Sequence, residues 1–371
     1  YTGIHMVYMY TEYPEENMEQ KNGYRAIADE LGNEITSGKL RRDELLPPER
    51  VLCERWNVER TTLRRALALL SDEGLIEKRP GVGSIVKDRS KELISFITTG
   101  GSAGQAAQVN ELEHHFMSPV CDCFSRICAK NGRREVSVTL TGNVEGRLKS
   151  FRNLLDSSQA LVLADNIPMN FLETAKRVGK PCVLFSQREK GFRSVLCDND
   201  SGLSQAVDCL YALGHRNIAF LGGDEQFLNS RARVDGFKRA MQSHGLNGEV
   251  IQCGWSDVSG YDGFLKLISI NPAITAVCCV NDQVAYGVCK AVNKLGKKVG
   301  VDVSVIGFGD TKHSRDFEYQ ITSVRIPPER VARELWRALR WEIESPFTDP
   351  ATVLVEAELI VRGTTGKVQN F

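Results

Sequence analysis

A chain of 371 residues, 42% hydrophobic and 25% charged, has the composition of a globular protein with room for two or three domains. Its 47 Lys+Arg balance 47 Asp+Glu, which excludes a protein that coats nucleic acid through bulk charge alone. No run of ~18 apolar residues occurs, which excludes a membrane-spanning helix. The eleven cysteines are scattered, form no Cys-x-x-Cys pair, and in part lie in apolar runs (Cys182, Cys278, Cys279). They read as reduced core thiols rather than a disulfide framework. Six dispersed histidines suggest no metal set and no cofactor, and His114, His115 and His215 read as ordinary surface or loop residues. No secretory apolar segment precedes the first domain, so a cytoplasmic location without a membrane partner is expected.

In chain order, residues 1–20 hold four Glu and no Lys or Arg, show no periodicity, and read as an unstructured or cloning-derived tail. Residues 21–91 hold 15 Lys+Arg against 12 Asp+Glu, a local excess of three positive charges. Within them, Tyr24, Ile27, Ala28, Leu31 and Ile35 share one face of a helix over 24–37, with Gly38 as its stop. Pro47 and Pro48 open a second helix carrying Arg50, Val51, Leu52 and Cys53. Asn57 marks a turn. In the next helix Leu63, Leu67 and Leu70 line one face, while Arg60, Thr61, Arg64 and Arg65 line the other. Gly74 ends it. Two short strands, 75–79 and 84–87, flank Pro80-Gly81-Val82-Gly83. Helix, helix, turn, helix and hairpin is the order of a winged helix-turn-helix, 21–87, followed by a charged linker, 88–92.

From Leu93 the pattern alternates short apolar runs with helices. Strands are expected at 93–97, 135–140, 160–164 and 181–185, then at 217–221, 249–252, 275–279 and 304–308. Helices are expected at 117–131, 201–213, 231–244 and 283–295. The stretch 100–116 is poorly patterned. Continuous apolar strands between helices imply parallel sheets covered on both faces. The expected class is therefore α/β: a winged head plus a body, 93–365, of two doubly wound parallel sheets. The first lobe is expected over about 93–195 and 326–345, with helix 327–341 returning to it. The second is expected over about 196–325 and 350–362, with 353–361 closing its sheet. Ligands of such sheets bind beyond the carboxyl ends of the strands, here between two lobes.

The segments YRAIADELGNEITSGKL and LPPERVLCERWNVERTTLRRALALLSDEGLIEKRPGVGSIV resemble the DNA-binding domain of GntR-type bacterial regulators. The resemblance implies DNA contacts from Arg50, Arg60, Thr61, Thr62, Arg64 and wing-tip Gly81. Arginine can fork onto guanine O6 and N7, and hydroxyls at a helix amino end can bind phosphate. Two residues depart from the pattern. Glu59 stands where a capping serine is usual, and glutamate caps poorly; Pro48 replaces another serine.

The segments VLCDNDSGLSQAVDCLYALGHRNIAFLGG, SRARVDGFKRAM and CCVNDQVAYGVCKAVNKLGKKVGVDVSVIGFGD resemble the effector domain of the LacI/GalR repressors, which has the periplasmic-binding-protein fold. The whole chain is similar to arabinose-type repressors of bacilli. The resemblance implies that Arg233 of Arg-x-x-Gly-Phe and Asn281 of Asn-Asp bind effector. Trp255, in a segment similar to one whose tryptophan stacks on sugar, would do so with Phe308 and Asp310. Core packing is the rival role for Trp255 and Phe308, a helix start for Arg233, and a helix cap for Asn281. Gly309 stands where the family usually has a ligand-gripping aspartate. With Ser186-Gln187-Arg188 at the first-lobe strand end, this points to an acidic or phosphorylated sugar using Arg188 and Arg233, or to a non-sugar.

The implied function is a ligand-responsive regulator, a homodimer on a palindromic operator, repressing carbohydrate-use genes until effector binds. An activator, a corepressor-dependent regulator and a sugar-binding receptor are the alternatives. The linker lacks the hinge-helix signature of the LacI family. No enzyme is expected: no Walker lysine follows Gly222-Gly223, and no Gly-x-Ser-x-Gly elbow occurs.

Overall fold

The computed structural model describes residues 18–36, 39–40, 43–87, 92–99, 106–316, 318–345 and 350–368. The tail expected over 1–20 and the linker over 88–92 lie almost wholly outside these. The chain divides into two compact units, Tyr1–Lys91 and Glu92–Phe371.

The head contains α1 (Met18–Thr36), α2 (Glu49–Trp56), α3 (Arg60–Asp72), β1 (Ile76–Arg79) and β2 (Gly83–Val86). Ile27, Leu31, Leu52, Leu63, Leu67, Leu70, Ile76 and Val86 make one core, so the apolar stripes of all three helices meet as their spacing requires. Asn57 ends α2 in the left-handed conformation at φ 49°, a conformation asparagine tolerates. Glu59 precedes α3 and makes no side-chain cap, as its chemistry implies. The antiparallel wing pairs Ile76 with Val86 and Arg79 with Gly83.

The first lobe of the body is built from β3 (Leu93–Thr99), α4 (Ala106–Lys130), β4 (Arg134–Leu140), α5 (Val144–Ser157), β5 (Ala160–Ala164), α6 (Met169–Val178), β6 (Cys182–Phe185) and β7 (Arg193–Cys197). The second begins with α7 (Asn199–Ala212), β8 (Ile218–Gly222), α8 (Leu228–Ser243), β9 (Glu249–Gln252) and α9 (Asp257–Ile270). It continues with β10 (Ala276–Cys279), α10 (Asp282–Lys294), β11 (Ser304–Phe308), α11 (Lys312–Asp316) and β12 (Thr322–Arg325). The chain then runs through α12 (Pro328–Glu344), β13 (Thr352–Val355) and β14 (Glu358–Ile360).

The sheet orders are β13-β7-β6-β5-β3-β4 and β14-β12-β11-β10-β8-β9. All pairings are parallel except β12 with β14. Strands β5, β8, β10 and β11 are buried at every position, which is why they read as unbroken apolar runs.

Three expectations need correction. Helix α4 starts at Ala106 and absorbs most of the stretch that lacked a pattern. Strand β13, expected in the second lobe, pairs with β7 in the first, Val353 opposite Val195; only β14 closes the second sheet. His215 is not a surface residue but 1% exposed. Its Nδ1 lies 2.9 Å from Thr275 Oγ1, and its Nε2 lies 3.0 Å from Ser304 Oγ and from the Gly366 carbonyl. It thus ties the final segment to the amino ends of the second sheet, where the Thr364 carbonyl also accepts from Val305 N. Helix α12 does return to the first lobe, packing on α4 and on β5, β6 and β7. All eleven cysteines are free, seven of them buried.

Burial pushes His215 below its ordinary 6.5, against the pull of the Gly366 carbonyl. A folded-state value lower than the unfolded one means the stability it carries is complete above about 6.5 and is lost as pH falls below that. Urea titrations at pH 7.5 and 5.5 are expected to show a lower midpoint at the acidic pH, and His215→Asn is expected to shrink that difference.

Candidate functional site

Helix α3 carries three exposed arginines. Arg60, Thr61, Arg64 and Arg65 are solvent-exposed and Thr62 is half-buried, on the side away from Leu63, Leu67 and Leu70. Arg64 Nε donates to both oxygens of Glu49, at 3.1 and 3.3 Å. Arg50 pairs with Glu54 at 2.7 Å, and Thr61 leans on Glu59. Exposed pairs of this kind contribute about 0.2–1 kcal/mol, so a phosphate or base edge can displace them. Gly81 sits at the wing tip with φ +76°, and a Cβ there would meet nothing within 4 Å. The backbone is therefore open to close approach.

The base of this surface was not read from sequence. Arg55 donates to Glu34 and Glu30, and Trp56 Nε1 donates to Glu30 at 2.8 Å. Arg55, with Lys39, holds the Glu34 carboxyl down to about 2. The cluster clamps α1 to α2 beneath α3, and its signal was an Arg-Trp pair closing an amphipathic turn.

In the body, polar residues collect at the carboxyl ends of the strands. Asp165 follows β5, Ser186 follows β6 and Asp310 follows β11, with φ of 53°, 56° and 46°. Left-handed backbone at residues other than glycine costs about 1 kcal/mol or more and concentrates at functional sites. Arg233, on α8, is 8% exposed. Its Nε donates to Asn199 Oδ1 at 3.0 Å and its Nη1 to the Val280 carbonyl at 2.6 Å. The guanidinium lies 3.8 Å from the Phe308 ring centroid, a desolvated cation–π contact of ~2 kcal/mol. Burial lowers Arg233 to about 10, opposed by the fields of Cys197, Asp282 and Asp165, so it stays charged at neutral pH. Burial pushes Asp165 up to about 6, while Ser186 and Arg233 pull it down. A first-lobe carboxylate thus lies in the field of a second-lobe guanidinium. Sequence reasoning passed over Asp165, although an aspartate directly after the apolar run Ala160–Ala164 was its mark.

Trp255 lies flat on Gly223, where a Cβ would fall 2.7 Å from the indole, and stands edge-on to Phe227 at 5.7 Å. Asn281 caps α10 through Val284 N at 2.8 Å and donates to the Trp255 carbonyl at 2.9 Å. Its rival role as a cap is therefore filled. Asp282 accepts from Thr311 N, Thr311 Oγ1 and Ser323 Oγ. No side chain fits at Gly307, because its Cβ would sit 2.4 Å from Asp282 Oδ1.

The structure brings Arg233, Phe308, Asn281 and Trp255 together; Arg188 lies apart from them, and Asp310 lines an interlobe cavity while pairing with Arg362. Asp310 is 7% exposed and bonds Arg362 at 2.5 Å and Ser314 at 3.2 Å. Exposed Arg188 borders a cavity with Phe192, Pro350 and Thr352, beside the amino ends of β7 and β13 and away from the strand ends that hold Arg233. A second cavity, about 470 Å³, does open between the lobes. Ser118 and Pro119 line one side, with Gly309, Asp310, Lys312, Arg315 and Arg325 opposite. That volume suits a small metabolite.

Residues 23–86 match the bacterial regulatory proteins of the gntR family, and residues 207–365 match the periplasmic binding protein-like domain. The HTH-type transcriptional regulator MalR of Streptomyces coelicolor is 29% identical over 334 residues, 85% of this chain and 91% of that protein. The arabinose metabolism transcriptional repressor of Geobacillus stearothermophilus is 23% identical over 366 residues, 93% and 98% of the two chains. Other relatives align over about half to two thirds of their own length. A transcriptional regulator CelR–cellobiose complex superposes with a TM-score of 0.65 at 19% identity, over 94% of this chain and 100% of that one.

The side chains of Asp310 and Arg362 are 3% and 14% exposed. Asp310→Asn strands the guanidinium, and breaking a buried pair typically costs 3–5 kcal/mol. Calorimetric unfolding is expected to show a loss of about 3 kcal/mol; unchanged stability would assign the carboxylate to ligand instead.

Proposed function

We infer that this chain, which joins a gntR-type helix-turn-helix head to a periplasmic-binding-protein-like body, is a ligand-responsive transcriptional regulator of carbohydrate-use genes, LacI/GalR-like in its body. The observation that carries this reading is the pairing of an exposed cationic helix beside a wing with a separate two-lobed unit whose strand ends converge on a buried arginine.

In the head, residues 21–87, Arg60 and Arg64 read base edges in the major groove. Thr61, Thr62 and Arg50 bind phosphates, and Gly81 lets the wing approach the neighbouring groove. The partner is duplex operator DNA. Two copies of the chain bind a palindrome whose half-sites lie about one helical turn, ~10 bp, apart or a multiple of it. In the body, residues 93–365, Arg233, Trp255, Phe308 and Asp165 hold the effector: a flat indole for the C–H face of a ring, a carboxylate and a guanidinium for its polar groups. Asn281 keeps Trp255 in place. CelR in complex with cellobiose supports a sugar or sugar derivative as that effector. The protein works in the cytoplasm.

The effector acts only through unequal affinity for the open and closed lobes. Closure re-spaces the paired heads and releases the operator. Derepression is the favoured sign, since the full-length relative of Geobacillus stearothermophilus is a repressor.

Binding to promoter fragments beside its own gene, followed by fluorescence anisotropy, tests the assignment. Arg60→Ala and Arg64→Ala should each weaken operator binding by about 1–3 kcal/mol, and Arg50→Ala should lower the salt slope by about one. Unchanged binding by the first two variants removes the DNA-reading role from α3.

A further inference from the structure

We propose that the wing selects A·T pairs in the minor groove beside each half-site, and that Val82 is the side chain that selects them. The proposal rests on the head being the DNA-reading unit, and it deepens that reading from the chemistry of the wing tip.

The wing is braced beyond its two strands. Asp43 N donates to the Val86 carbonyl, Leu46 N to the Ser84 carbonyl and Val86 N to the Glu44 carbonyl. Leu45 bridges Ile85, so residues 43–46 run along β2 as a third strand. The tip, Pro80-Gly81-Val82-Gly83, turns tightly because Gly81 and Gly83 hold φ of +76° and +130°. Val82 N closes the turn by donating to the Arg79 carbonyl at 3.0 Å. A side chain on so short a turn has no core to enter. Val82 is 58% exposed, more than any other large apolar residue described in the head, and Leu45 follows at 49%. Leu45 Cδ2 lies 3.3 Å from where a Cβ would stand at Gly83, so both apolar side chains adjoin that glycine.

Such a tip has little to donate. Pro80 lacks an N–H, the Val82 N–H is spent on Arg79, and no side chain of the four carries a polar group. In the minor groove both orientations of A·T present acceptors, and G·C adds the guanine N2 amino donor. The cost of covering the acceptors is common to both pairs and cancels. The amino group does not cancel: a valine methyl over it buries a donor that the side chain cannot satisfy, and is held off the groove floor. A buried donor left unpaired weakens binding about fivefold or more. The shoulders of the wing favour the same sequence. Lys78 and Arg79 are exposed on β1, and Arg79 meets only the exposed carboxylate of Glu77, which a phosphate can displace. Narrow A·T minor grooves carry an enhanced negative potential that attracts such cations. The grooves alternate along one face of the duplex, so the selected pairs lie about half a helical turn, ~5 bp, from the bases that α3 reads.

Selection from a random duplex pool with the full chain yields an operator. Anisotropy then compares that duplex with A·T, G·C or inosine·C at the wing-facing position. Inosine keeps the major-groove face of guanine and lacks the N2 amino group. A·T and inosine·C should bind alike, and G·C about fivefold or more weaker. Val82→Asn, whose amide both donates and accepts, should bring A·T and G·C within about twofold of each other. Inosine·C binding as weakly as G·C overturns the role of the amino group. Equal or tighter binding of G·C assigns the contact to a tip carbonyl and overturns the A·T preference. Undiminished discrimination by Val82→Asn removes Val82 from it. If the pool yields no enriched duplex, the DNA-reading role of the head falls instead, which separates that failure from the others.

Discussion

Arg233 is held where four elements meet. It stands on α8, donates to the first residue of α7 and to the strand end after β10, and lies on the aromatic ring that ends β11. Each contact demands something of the sequence nearby. Asn199 is presented by a helix whose amino end is capped by Asp198. Val280 offers its carbonyl because the next residue, Asn281, starts α10 as its cap. Phe308 stacks under the guanidinium, and its neighbour Gly307 makes room for the Asp282 carboxylate. The floor of the cleft is thus a set of interlocked helix starts and strand ends, in which the guanidinium is the shared centre.

That arrangement also suggests how the lobes are coupled. The chain passes between them three times, after β7, after β12 and after β13. Asp165 brings a carboxylate of the first lobe into the field of Arg233 in the second. Burial pushes this carboxyl up to about 6, so its attraction to Arg233 weakens as pH falls through that value. Two packed lobes sharing a thin connection respond to such a change as bodies rather than by continuous deformation.

Much of this was legible in the residues because parallel strands buried on both faces leave an unmistakable local trace, as in Ala160–Ala164 and Ser304–Phe308. The three helices and wing of the head were legible for the same reason: their apolar stripes are local. What escaped was non-local. Strand β13 is exposed at alternate positions and carries nothing that says which sheet it joins. His215 looked like a residue after a helix-ending glycine until Gly366, far along the chain, came to cover it. Asp310 read as a ligand contact, and nothing near it in sequence announced its pairing with Arg362. Arg188 was close in sequence to the strand end, but its loop runs back toward the amino ends of the strands. Helix α3 was legible; the carboxylate that holds its Arg64, Glu49, lies on another helix and required the fold.

Both sheets of the body take a strand from the end of the sequence: β13 joins the first and β14 the second, and the segment through Gly366 is then stitched beneath. Synthesis proceeds from the other end at about 5–20 residues per second. The head therefore leaves the ribosome competent to fold before residues 92–371 are made, an interval of at least roughly 15–60 s at those rates. During it the nascent polypeptide carries a head whose core is complete and a body in which neither sheet has its last strand.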